Sequence, residues 1–125
     1  MIIRRKDDIQ ATETPGGNFT SPLATPSLGA EEVSVIRQHE LAGGKNPLHM
    51  HDREEVMVML SGAVTVTVAD ETAVLGAGDT LVIPAQAVHN ITNTSSEPAE
   101  WLLIAPSQRR FFSPDGQEAS PLWAQ

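Results

Sequence analysis

From Val33 onward the chain alternates apolar and polar residues in short bursts, each closed by a turn-forming residue. Val33-Ser34-Val35-Ile36-Arg37 opens the series, and Glu55 to Leu60 follows. Ala63-Val64-Thr65-Val66-Thr67-Val68 alternates strictly, the two-residue period of a strand with one buried face. Ala69-Asp70-Glu71 predicts a turn into Thr72-Ala73-Val74-Leu75. Thr80 to Ile83 stops at Pro84, Val88 to Thr94 is the next segment, and Glu100 to Ala105 is the last strong one. Apolar residues nowhere recur at helical spacing over three turns. Seven or eight short strands in about 75 residues predict an all-β barrel or jelly roll.

The flanks read differently. Residues 1–31 carry Pro15-Gly16-Gly17, Pro22 and Pro26 among scattered Ser and Thr, which predicts an arm without a core of its own. Such an arm suits exchange between subunits. The barrel is expected over 32–112 and a weakly structured tail over 113–125, with a turn at Pro114-Asp115-Gly116.

Composition narrows the chemistry. The 125 residues hold no Cys and no Tyr, which removes disulfides, thiolate nucleophiles and thiolate metal sites. A net charge of −8 makes nucleic acid a poor partner, and Arg4-Arg5-Lys6 and Arg109-Arg110 are too short for a basic stripe and read as solvated surface. No apolar run approaches the ~18 residues of a membrane helix, and the N-terminus lacks a secretory pattern, so a cytoplasmic location is expected.

Three of the four histidines carry the chemistry. His49 and His51 lie two apart and point to one face of an extended segment. Glu55 has the same parity on the next strand, and His89 lies on a strand distant in sequence. A small barrel aims such positions into one interior, where three imidazoles and one carboxylate make an N₃O site. Leaving those groups buried and unpaired would cost several kcal/mol. The set suits Mn, Fe, Co, Ni, Cu or Zn and matches Mg or Ca poorly.

The spacing around these residues resembles a known family. Gly43, five residues, His49-x-His51, three residues, Glu55, six residues and Gly62 is similar to the first cupin motif. Gly78, five residues, Pro84, then His89 and Asn93 resembles the second, with Gln86 where that motif usually has Gly. The resemblance implies a double-stranded β-helix, the cupin jelly roll, with His49, His51, Glu55 and His89 holding one divalent transition metal. It implies turn roles for Gly43, Gly62, Gly78 and Pro84, a bracing role for Asn93, and a homodimer.

Parity also predicts a mostly apolar pocket beside the metal. Met57 and Met59 share the face of Glu55, Ile91 shares that of His89, and Trp101 with Leu103 closes the cavity from the last strand. His39 is the one histidine outside the motifs. With so few proton-transferring side chains, the chemistry falls to the metal and a small chelating organic substrate, and no catalytic side chain is assigned. A dioxygenase-type reaction is expected first. A non-redox isomerase, cyclase or lyase and a non-catalytic metal-anchored binding module are the alternatives. Because imidazoles bind metal only when neutral, affinity is expected to fall below about pH 6.

Overall fold

The computed structural model describes residues 1–125 as a nearly all-β fold of antiparallel strands. Alternation sets the main strands: β3 (Val33–Glu40), β5 (Glu55–Ser61) and β10 (Ala99–Pro106) bury every second residue. They are joined by β1 (Thr12–Thr14), β2 (Asn18–Ala24) and β8 (Thr80–Ile83) in a six-stranded sheet of order β1-β2-β3-β10-β5-β8. Among the residues before 31, β2 pairs with β3 of the same chain, Thr20 opposite Gln38 and Asn18 opposite Glu40, and β1 pairs with β2.

A second sheet has the order β7-β6-β9, built from β6 (Ala63–Val68), β7 (Glu71–Gly76) and β9 (His89–Thr92). Isolated bridges pair Lys45 with Thr92 and His49 with His89, and so carry β9 onto the segment leading to β4 (Met50–His51). A third sheet, β12-β11-β4, adds β11 (Phe111–Phe112) and β12 (Glu118–Ala119) from the C-terminal segment. Gly62 sits at φ +75° between β5 and β6, where a Cβ would meet the Pro98 carbonyl oxygen at 2.5 Å. Only glycine fits there without strain.

The core lies between the first two sheets. Ile36, Met57, Met59, Ala99, Trp101 and Leu103 from one meet Val64, Val66 and Ile91 from the other. Trp101 is fully buried, and its Nε1 donates to Gln38 Oε1 at 3.1 Å. The tail is more ordered than expected: Ala124 is buried against this core and Trp123 packs beside it, so the end of the chain closes the barrel. No helix is long and apolar enough to cross a membrane.

Candidate metal centre

β4, β9 and the bridge between His49 and His89 bring three imidazoles together. His49 N donates to His89 O at 3.1 Å, and His89 N donates back to His49 O at 2.9 Å. Their ring centroids lie 4.2 Å apart, and His51 lies 4.9 Å from His49 and 5.1 Å from His89. One nitrogen from each ring falls within 4.8 Å of the others.

Backbone carbonyls fix which nitrogens face inward. His49 Nδ1 donates to Pro47 O at 2.9 Å and His89 Nδ1 to Ala87 O at 2.8 Å. That leaves each Nε2 with a lone pair, the arrangement common in metal-ligating histidines. Nε2 of His51 and of His89 are buried and have no hydrogen-bond partner. Burial and the neighbouring positive groups push His51 down to about 2; burial and His49 push His89 down to about 4. His49 is lowered as well, chiefly by burial. The rings are thus neutral at physiological pH, and unpartnered buried nitrogens converging on one point fit a divalent transition metal.

Glu55 stands beside this group. Its Oε2 is 3.7 Å from His51 Nε2 and 3.6 Å from Arg109 Nε, with both of those pairs nearly inaccessible. Burial pushes its carboxyl up to about 7, against the pull of Arg109. Arg109 itself corrects the reading of Arg109-Arg110 as solvated surface: it is only 7% exposed. Arg110 is exposed and pairs with Glu118 at 2.6 Å. A charge pair formed between a strand and a loop distant in sequence leaves no periodic mark. The excess of a buried cation shows only when its partner is known.

A cavity of about 590 Å³ opens onto the imidazoles and Glu55. Ile91 and Leu103 line it. Met57, Met59 and Trp101 do not; they belong to the core. The reason is position along the strand, since each two-residue step moves a side chain about 7 Å and carries Met57 and Met59 toward the closed end. The wall instead gains Leu48, Phe111, Phe112 and Trp123, mostly from the C-terminal segment, and Asn18, Gln38 and Asn46 on a polar side. Phe111 meets His51 edge-on at 4.6 Å and Trp123 at 5.6 Å. The Phe-Phe pair and the late Trp were the available signal in sequence, too short to carry a period.

His39 lies away from this cavity, half-exposed, with Nδ1 3.1 Å from Glu100 Oε1. Asn93 is fully buried and its amide donates to the carbonyls of Glu40, Leu41 and Glu97, a bracing pattern.

A jelly-roll barrel with histidines from two strands facing one cavity defines a class, and the comparisons with known proteins agree with it. A family model described as "Cupin domain" matches residues 37–105, and the chain belongs to the cupin family. Auxin-binding protein 1 of Arabidopsis thaliana is 31% identical over 114 residues, 82% of this chain and 58% of that protein. Germin-like protein 3-7 of Oryza sativa subsp. japonica is 31% identical over 78% of this chain and 46% of its own length. The chain thus spans about half the length of these curated relatives. Among solved structures, a polyketide cyclase from Streptomyces resistomycificus superposes with TM-score 0.78 at 21% identity, covering 97% of this chain and 87% of that one. An oxalate oxidase superposes with TM-score 0.69 at 26% identity over 79% and 56%.

Proposed function

We propose that the protein binds one divalent transition metal through His49, His51 and His89, with Glu55 the candidate fourth ligand, and acts on a chelating organic substrate in a dioxygenase-type reaction. The observation that carries this is the convergence of buried, unpartnered Nε2 atoms on a cavity of about 590 Å³. A bound ion would supply Lewis acidity or, if redox-active, chemistry with O₂.

The chain's own residues do the rest. The carbonyls of Pro47 and Ala87 hold the His49 and His89 tautomers. Leu48, Phe111, Phe112 and Trp123 bury the apolar body of the substrate and exclude water. The cavity is of the size that holds a drug-sized molecule, far larger than a two-carbon acid needs. It therefore favours an enol, diketone or phenol-like compound. The likeness to an oxalate oxidase supports oxygen chemistry on the same scaffold.

Oxygen consumption by the Fe(II)- or Mn(II)-loaded protein with β-diketones and catechols tests the reading. Metal- and substrate-dependent uptake is expected, and none with any chelating compound would overturn it. One observation favours a second, non-redox reading: the buried Glu55 carboxyl lies 3.7 Å from His51 Nε2, beside the three imidazoles, where a proton-transferring group would act. Turnover of the same compounds under nitrogen with Zn(II) would select it.

A further inference from the structure

The fourth ligand position is contested within the protein. Arg109 follows β10 and is held in place: its Nη1 donates to Pro106 O at 3.4 Å and its guanidinium lies 4.9 Å over the Phe111 ring. Its Nε faces Glu55 Oε2 at 3.6 Å and has no hydrogen-bond partner of its own. The same Oε2 lies 3.7 Å from His51 Nε2. A single carboxylate oxygen thus sits between a guanidinium and an imidazole nitrogen, with side-chain exposures of 1% for Arg109 and 3% for Glu55. The nitrogens that draw within 4.8 Å of one another belong to the three histidines, and Glu55 is outside that group.

We propose that Arg109 is a positioning residue that holds the Glu55 carboxylate back from the three-imidazole site, so that Glu55 reaches a bound ion only by releasing the guanidinium. The inference rests on the reading that the histidines bind a metal. A guanidinium does not deprotonate in proteins, and this one is buried, bonded to Pro106 O and packed on Phe111, so it keeps its charge beside Glu55. A dication entering the imidazole group competes with it for one oxygen, in a dry surrounding where charges act strongly on each other. The carboxylate is the part free to move, since rotation of its own side chain shifts Oε2 between the two claimants. The resting ligand set is then three nitrogens. More positions stay open for a chelating substrate than a four-ligand site would leave.

Zn(II) and Co(II) alone, titrated into the purified full chain, test this. Glu55→Gln is expected to weaken Zn(II) binding less than threefold and to leave the Co(II) absorption spectrum in place. Arg109→Gln is expected to tighten Zn(II) at least tenfold and shift the Co(II) spectrum, and adding Glu55→Gln to it should reverse both changes. An Arg109→Gln protein with unchanged or weaker affinity would overturn the proposal, as would a tenfold loss from Glu55→Gln alone. If Arg109→Gln does not fold, Arg109→Lys is expected to tighten binding by a smaller factor, and the Glu55→Gln result decides without it. A native chain that binds no Zn(II) overturns the metal reading itself. Zn(II) binding that depends tenfold on Glu55 overturns only this inference.

Discussion

His49 and His89, from opposite ends of the double motif, exchange a reciprocal pair of backbone hydrogen bonds at 3.1 and 2.9 Å. The bridge sets the spacing of the two imidazoles before any ligand arrives, so the donor set is preorganised by the sheet rather than assembled by an ion. Replacing His89 by Ala should therefore leave the fold intact but weaken Zn(II) binding at least a hundredfold. Isothermal titration alongside circular dichroism checks both halves.

Burial changes the expected pH response of binding. The sequence alone predicts loss of affinity below about pH 6, where a free imidazole charges. In the folded site His89 lies at about 4 and His51 at about 2, so protons compete with a metal only at lower pH. His49 is lowered by burial as well, so Zn(II) affinity should begin to fall at a lower pH than the free-imidazole range and fall steeply below about 4. A tenfold loss by pH 5.5 would show that the imidazoles titrate as free ones do.

Glu40 is a buried acid that the site does not use. It is fully inaccessible, and burial raises it to about 7 against the pull of the Asn93 backbone N–H. A carboxyl raised in the folded state is penalised above that pH and relieved as pH falls toward the unfolded value near 4.3. Glu40→Gln should raise stability by roughly 1–3 kcal/mol at pH 8 and by little at pH 5. Urea unfolding at the two pH values measures the difference.

Gln86 stands at φ +66°, in the left-handed region that glycine occupies freely, and its N–H donates to His51 O at 2.6 Å. The departure from the usual motif glycine is thus accommodated by strain in the turn, with the turn retained. Gln86→Gly should stabilise the protein by about 0.5–1 kcal/mol, the left-handed cost less the entropy that glycine loses on folding. A lower midpoint in thermal unfolding would contradict this.

Asn93 is satisfied on every side: three carbonyls accept from its amide, and Ser95 donates to its Oδ1 through N at 3.1 Å and Oγ at 2.6 Å. Asn93→Ala removes the donor shared by the Glu40, Leu41 and Glu97 carbonyls, of which Leu41 O keeps Gly44 N and Glu97 O keeps Ser95 Oγ, and should cost about 1–3 kcal/mol, with Zn(II) affinity changed less than threefold. Chemical denaturation and titration separate the two effects.

The strands from Val33 to Ala105 are legible in sequence because a half-buried strand repeats every two residues, and β6 shows it in six consecutive positions. The same parity explains why His51, Glu55, His89 and Ile91 are all buried. It says nothing of depth along a strand, which is why Met57 and Met59 fall in the core and not on the cavity wall. The short strands β1, β4, β11 and β12 have no room for a period. Arg109 was hidden for a different reason: its burial depends on Glu55, and a charge pair across the fold is not a local pattern. Trp123 of the aromatic wall likewise comes from a segment whose sequence reads as a loose tail, and Phe111 and Phe112 sit at the last two positions of the expected barrel.

Elemental analysis of the purified native chain beside its His49→Ala and His89→Ala variants bears on the central claim most directly. About one divalent transition-metal ion per native chain, absent from both folded variants, is the predicted result. A folded native chain that stays metal-free after incubation with Mn(II), Fe(II), Co(II), Ni(II) and Zn(II), or variants that keep the ion, would contradict it.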